Sequence, residues 1–122
     1  MHSLMKQARA ASKNAIAPHS GIHVGCAIRT VFKKVYTGWN IEGPWMTSIH
    51  AEVGAISRMT GPFLDRIAEI AVYAEGVNFT PCGACLDWIT RFSNSSTLLF
   101  THNGKNARSF VVKELYPEYP KR

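Results

Sequence analysis

Two short runs carry the residues best suited to chemistry. One is His50-Ala51-Glu52, inside "TSIHAEVGAI"; the other is Pro81-Cys82-Gly83-Ala84-Cys85, inside "TPCGACLDWI". Cysteine thiolates and a neutral imidazole are good zinc ligands, and catalytic zinc takes three protein ligands and leaves a fourth position for water. Cys82 and Cys85 stand three apart at the start of a predicted helix, so both sulfurs can point the same way. The helix N-terminus favours their thiolate form through its partial positive charge. Two cysteines are one ligand short, and His50 supplies the third. Glu52 then lies beside the metal without being needed as a ligand. There it can take a proton from zinc-bound water and hand it to a leaving group. Zinc lowers the pKa of that water to about 7, so hydroxide is available at neutral pH.

Each run alone has a blander explanation. His-x-Glu triplets arise by chance, and Pro-Cys-x-x-Cys also serves redox sites of the thioredoxin kind and structural zinc knuckles. Cys26 or one of the other histidines could close a structural four-ligand site. The pair taken together, in this order, forms the H-x-E…P-C-x-x-C signature of zinc-dependent deaminases. Residues 53–80 separate the two runs, enough for a helix, a connector and a strand that returns to the same sheet edge.

The elements that must position these residues can be read from pattern. Residues 3–15 predict a helix capped by Ser3, with Leu4, Ala8, Ala11 and Ala15 at helical spacing. "IHVGCAIRTVF" and "KKVYTGWNI" predict two strands joined as a hairpin at Phe32-Lys33-Lys34. "EGPW" is a loop, and a second helix is expected from Ile49 to Met59, stopped by Gly61-Pro62. "RIAEIAVYAE" is apolar and alanine-rich, and its place between two helices predicts a buried strand. A third helix is expected over Gly83–Phe92. "STLLFTH" and "ARSFVV" are strands about the turn "NGKN", the second at an edge, and "KELYP" is a short helix ended by Pro117. Alternation of this kind predicts an α/β fold with helices on both faces of one sheet.

A chain of 122 residues, 46% of them hydrophobic, is expected to be one domain over 1–122 with a core of its own. Fourteen basic against eight acidic residues give a net charge of +6, which would suit an anionic partner. The basic residues are scattered, with local groupings only at Lys33-Lys34 and Lys121-Arg122, so most of the excess reads as solvated surface and nucleic acid is not the expected partner. No apolar run reaches bilayer length and the N-terminus lacks a signal-peptide core, so no membrane partner and a cytoplasmic location are expected. Three cysteines argue against a closed disulfide framework. Cys26, in a predicted buried strand, reads as a core residue. His2, His23 and His102 are assigned no role.

Over nearly its whole length the chain resembles the small homotetrameric cytidine deaminases. "ASKNAIAPHSGIHVGCAI" is similar to their N-terminal segment, and "GWNIEG" to their G-x-N-x-E segment. "HAEVGAI" resembles C-A-E-R-x-A-I, "PCGAC" matches the usual motif, and "VKELYP" resembles V-x-E-L-L-P. The resemblance implies a three-layer α/β/α sandwich with a mixed five-stranded sheet. It implies one zinc per chain on His50, Cys82 and Cys85, with Glu52 as proton shuttle. Asn40 and Glu42 would bond the ribose hydroxyls, and the backbone of Ala51 would help hold the pyrimidine. A homotetramer follows by the same resemblance, with Tyr119 a candidate to reach a neighbouring active site.

The departures matter too. His50 replaces the family's usual Cys and Val53 its usual Arg, while Leu86-Asp87 stand for Arg-Gln. Two thiolates and a neutral His on zinc sum to zero charge, whereas three thiolates sum to −1, so the loss of the Arg accords with the loss of a thiolate. Asp87 either accepts a hydrogen bond from the distal nitrogen of His50, fixing its tautomer, or is an exposed aspartate in the first turn of the helix. His19 and Ile22 replace aromatic residues, and Trp45 lies in a shortened loop. The expected reaction is hydrolysis of cytidine or deoxycytidine to the uridine and ammonia. The alternatives are another cytosine-like amine such as blasticidin S, a nucleic-acid deaminase, and a non-catalytic zinc domain.

Overall fold

In the computed structural model, which describes residues 2–45, 47–61 and 64–115, the expected hairpin forms. Strand β1 (Val24–Thr30) pairs antiparallel with β2 (Val35–Trp39), Gly25 opposite Trp39 and Arg29 opposite Val35. Two short strands follow, β3 (Ile41–Glu42) and β4 (Ser48–Ile49), forming a separate small sheet. The alanine-rich run is indeed a strand, β5 (Ile67–Ala74). It is followed by β6 (Ser93–His102), which starts earlier than expected, and by β7 (Ala107–Val111). The five long strands are ordered β2-β1-β5-β6-β7, with β5 and β6 parallel and the other neighbours antiparallel.

Helices cover both faces. Helix α1 (Ser3–Ser12) sets Leu4, Met5 and Ala8 against Ala27, Ala71 and Tyr73. On the opposite face, α2 (Ala51–Met59) and α3 (Gly83–Phe92) close over Cys26, Ile28, Ile70, Val72 and Leu99, joined by the short α4 (Val112–Leu115). The period-two alternation of strand side chains explains the division, because neighbouring residues of β1 and β5 point to opposite cores. Fully burying an Ile or Leu contributes roughly 1.5–3 kcal/mol, so these two cores supply the main stabilisation.

Gly38 decides how close α2 comes. A Cβ there would lie 2.4 Å from the Ala55 nitrogen and 2.5 Å from the Ala51 oxygen, so only glycine lets the first turns of α2 rest on β2. Helices α2 and α3 each connect strands that run in the same direction. Their N-termini open at the carboxyl ends of those strands, where open α/β sheets bind ligands.

Helix α1 differs from the sequence expectation at both ends. It is capped by His2, whose Nδ1 accepts from the Leu4 N–H at 3.2 Å, and Ser3 is already inside the helix. It stops at Ser12 because the chain beyond is drawn to the small sheet: the Ile16 N–H donates to the Asn40 carbonyl, and the Glu42 N–H to the Ile16 carbonyl. Tyr119 and Pro117 lie outside the described residues.

Candidate metal centre and substrate cavity

His50 and Cys82 are the N-cap residues of α2 and α3. Both have extended backbone, which aims their side chains back across the gap between the helix ends. Cys85, one turn into α3, faces the same gap, and the Cys82 sulfur accepts from the Cys85 N–H at 3.5 Å. The His50 Nδ1 lies 3.2 Å from the Cys85 sulfur and 3.5 Å from the Cys82 sulfur. All three donor atoms fall within 4.8 Å of one another. Tetrahedral zinc with bonds of about 2.0–2.3 Å holds neighbouring donors roughly 3.5–3.8 Å apart, so one imidazole and two sulfurs at these separations fit zinc. Two helix N-termini add positive potential where the two sulfurs gather.

Cys85 is buried, and its thiol is pushed well above the usual range, first by burial and then by the charge of Glu52 and by Cys82. Cys85 would bind a zinc ion as the thiolate. Cys26 lies beneath, fully buried, with its thiol raised by burial and then by Glu52 and Cys85. It lies outside the metal group and is a core residue, as expected.

Glu52, in the first turn of α2, is 5% exposed. Burial raises its carboxyl above the ordinary 4.5, opposed by its own backbone N–H, His50 and Cys85. A carboxyl whose protonated form is favoured by burial is suited to carry a proton between reacting groups.

A cavity of about 250 Å³ opens from this cluster. His50, Ala51, Glu52 and Cys82 line its metal end; Ile22, Val24, Ala74, Val77 and Phe79 give it apolar walls. Ser20, Asn40, Glu42 and Ser48, with Thr80 and Pro81, line the remainder. Asn40 is buried, and its amide is already engaged: Oδ1 accepts from the Val24 N–H at 2.9 Å and Nδ2 donates to the Ile22 carbonyl at 2.9 Å. One N–H of that amide remains for a ligand. Glu42 accepts from the backbone N–H groups of His19 and Ser20 at Oε1 and from the Ser20 hydroxyl at Oε2. Its carboxyl is held below the ordinary 4.5, chiefly by the Ser20 hydroxyl.

Other sequence candidates fall elsewhere. His19 meets Glu42 through its backbone and does not line the cavity, whereas Ile22 does. Trp45 is 92% exposed, at a φ of 57°, away from the cavity. The expected bond between His50 and Asp87 is absent: no hydrogen bond joins them. Asp87 is two residues past Cys85, about 200° around the helix, so its side chain leaves α3 on another face. Ser20 and Phe79 were missed as cavity residues. Phe79 had a signal, since it stands three residues before Cys82; Ser20 had only its neighbours His19 and Ile22.

Comparison with known proteins agrees with this geometry. Residues 1–101 match the family model for the cytidine and deoxycytidylate deaminase zinc-binding region. A cytidine deaminase of Mycoplasma genitalium is 30% identical over 116 residues, covering 92% of this chain and 88% of that protein. A cytidine deaminase of Vibrio cholerae is 29% identical over 111 residues, or 88% of this chain; the chain spans only 35% of that relative's length. The crystal structure of cytidine deaminase from Burkholderia pseudomallei superposes with a TM-score of 0.86 at 30% identity, covering 96% of each chain. Two capping ligands, a third one turn into α3 and a buried glutamate beside them thus meet on a shared fold, and the chain belongs to the cytidine and deoxycytidylate deaminase family.

Proposed function

We propose that this chain hydrolyses the 4-amino group of cytidine or deoxycytidine, giving the corresponding uridine and ammonia. The observation that carries the reading is Glu52, buried at the cavity floor beside three zinc-type donors. A purely structural metal site has no use for such a residue. His50, Cys82 and Cys85 would hold a zinc ion, and the chemistry it would supply when bound is Lewis-acid activation of the attacking water. Glu52 takes a proton from the attacking water and delivers it to the ring nitrogen N3; it then takes the proton of the new C4 hydroxyl and passes it to the departing amine, a poor leaving group until protonated, which leaves the C4 carbonyl. The backbone of Ala51, at the start of α2, holds the pyrimidine edge. Ile22, Val24, Val77 and Phe79 flank the ring and exclude water.

At the far end, Glu42 and the remaining Asn40 N–H receive the sugar hydroxyls. No Lys or Arg lines the cavity among the described residues, which supports a neutral nucleoside over its phosphate. The same reading takes the chain as one domain that assembles as a homotetramer. The exposed Ile16, Ile41 and Ile49 are consistent with a covered face: Ile41 pairs with both of the others across adjacent short strands. Cytoplasmic location accords with three free cysteines, which a reducing compartment preserves.

An ammonia-release assay on zinc-loaded protein tests the reading, with cytidine, deoxycytidine, cytosine, blasticidin S, adenosine and guanine as the panel. Turnover of cytidine or deoxycytidine that disappears in Glu52→Gln is the expected result. Turnover of blasticidin S alone would reassign the substrate to the Ile22 side of the cavity. Silence on every amine, with one zinc bound per chain, would overturn the reading in favour of a non-catalytic zinc domain.

A further inference from the structure

Four hydrogen bonds at the far end of the cavity converge on one hydroxyl and one carboxylate. The Ser20 oxygen accepts from the Ile22 N–H at 3.0 Å and contacts Glu42 Oε2. The ionised carboxylate can only accept, so the hydroxyl proton must be the one that lies between them. The direction of the relay is therefore determined: Ile22 N–H to Ser20 hydroxyl, Ser20 hydroxyl to Glu42. On the other oxygen, Glu42 Oε1 accepts from the His19 N–H at 2.8 Å and the Ser20 N–H at 3.1 Å.

A carboxylate offers about four acceptor sites. Two on Oε1 and one on Oε2 are taken, so the single remaining site is on Oε2, the oxygen shared with Ser20. Both residues line the cavity. Without the Ser20 hydroxyl, Oε2 has no hydrogen-bond partner among the described residues, and the carboxylate can swing about its Oε1 bonds.

We propose that Ser20 is the positioning residue that aims the one free acceptor site of Glu42 at a sugar hydroxyl of the substrate. The inference rests on the reading that Glu42 receives those hydroxyls. Ser20 does not touch the reacting atoms; it acts through Glu42. Its effect therefore belongs to sugar recognition and not to the proton transfer at Glu52.

The test compares wild type, Ser20→Ala and Ser20→Thr on cytidine and on 2′,3′-dideoxycytidine, with zinc content and melting temperature as controls for folding. Loss of one charge-assisted hydrogen bond in Ser20→Ala is expected to raise KM for cytidine about tenfold with kcat within about twofold. On dideoxycytidine, which has no sugar hydroxyl at the 2′ and 3′ positions, KM of the variant should match wild type within about twofold. Ser20→Thr keeps the hydroxyl and should recover most of the cytidine affinity. The acid limb of 1/KM against pH for cytidine should also move upward in Ser20→Ala, a shift that a merely structural role would not produce.

An unchanged KM for cytidine in Ser20→Ala, or an equal rise on both substrates, overturns the proposal while leaving the deaminase reading in place. A wild type that turns over neither nucleoside overturns this proposal, and one that is silent on deoxycytidine as well overturns the deaminase reading with it.

Discussion

At the metal end of the cavity, His50 and Cys82 cap two helices, and Glu52 and Cys85 sit in their first turns. At the far end, Ser20, Asn40 and Glu42 lie on a turn, a strand end and a two-residue strand. The first group is rigid because helix periodicity fixes the donors within each helix and packing on the sheet fixes the helices against each other. The second is held by hydrogen bonds between segments about twenty residues apart, several of them exposed. On the proposed function, chemistry that tolerates little displacement is placed on packed helices, and recognition, which tolerates more, on a hydrogen-bonded loop.

The contrast can be tested, and the largest effect is expected at Glu52. Glu52→Gln keeps the shape and removes the proposed proton carrier, so kcat should fall by at least about 10²–10⁴-fold while zinc content by elemental analysis is unchanged. A variant that lost its zinc would show that Glu52 holds the centre together and does more than move protons.

Gly38→Ala probes the seating of α2 from a distance. The new Cβ meets backbone of Ala55 and Ala51, which cannot rotate away. Denaturant titration should show a loss of roughly 1–3 kcal/mol, the usual cost of overpacking. Since α2 carries His50 and Glu52, weaker zinc retention should accompany that loss. Unchanged stability would mean that the helix is less tightly seated than its geometry indicates.

At the far end the effects are smaller and fall on binding. Glu42→Gln should raise KM for cytidine about tenfold and spare kcat, since a charged acceptor becomes neutral. The pH dependence follows from the sign of the shift. The folded carboxyl of Glu42 is held below 4.5, so its contribution is fully present above pH 4.5 and is lost as pH falls through the lower folded value. Cytidine affinity in wild type should therefore hold from neutral pH down to 4.5 so far as Glu42 governs it, and Glu42→Gln should abolish the decline below that. A kcat loss as large as that of Glu52→Gln would erase the distinction between the two ends.

Asp87→Asn is expected to do least. With no bond to His50 and its side chain on another face of α3, zinc content and rate should stay within about twofold of wild type. A marked loss of zinc would restore the bond that the fold lacks.

The grouping of His50, Cys82 and Cys85 and the element order were legible in the sequence, and helix α3 begins and ends where expected. Those features are local: ligands three apart on a helix start, alternation in strands, and Gly and Pro at the stops all act within a few residues. The cap of α1 was misread because both His2 and Ser3 can accept from a helix N–H, and only the path of the chain into the helix decides between them. The bond drawn from His50 to Asp87 failed because nearness in sequence on a helix does not mean sharing a face. Ser20 and Glu42 meet across twenty-two positions, and Cys26 lies beneath the metal centre from a strand far earlier in the chain. By itself the sequence determined which residues can do the chemistry, because their types and short spacings are physical constraints on local structure. Tertiary structure alone decided which residues support them, because those contacts depend on how sheet and helices bring distant segments together.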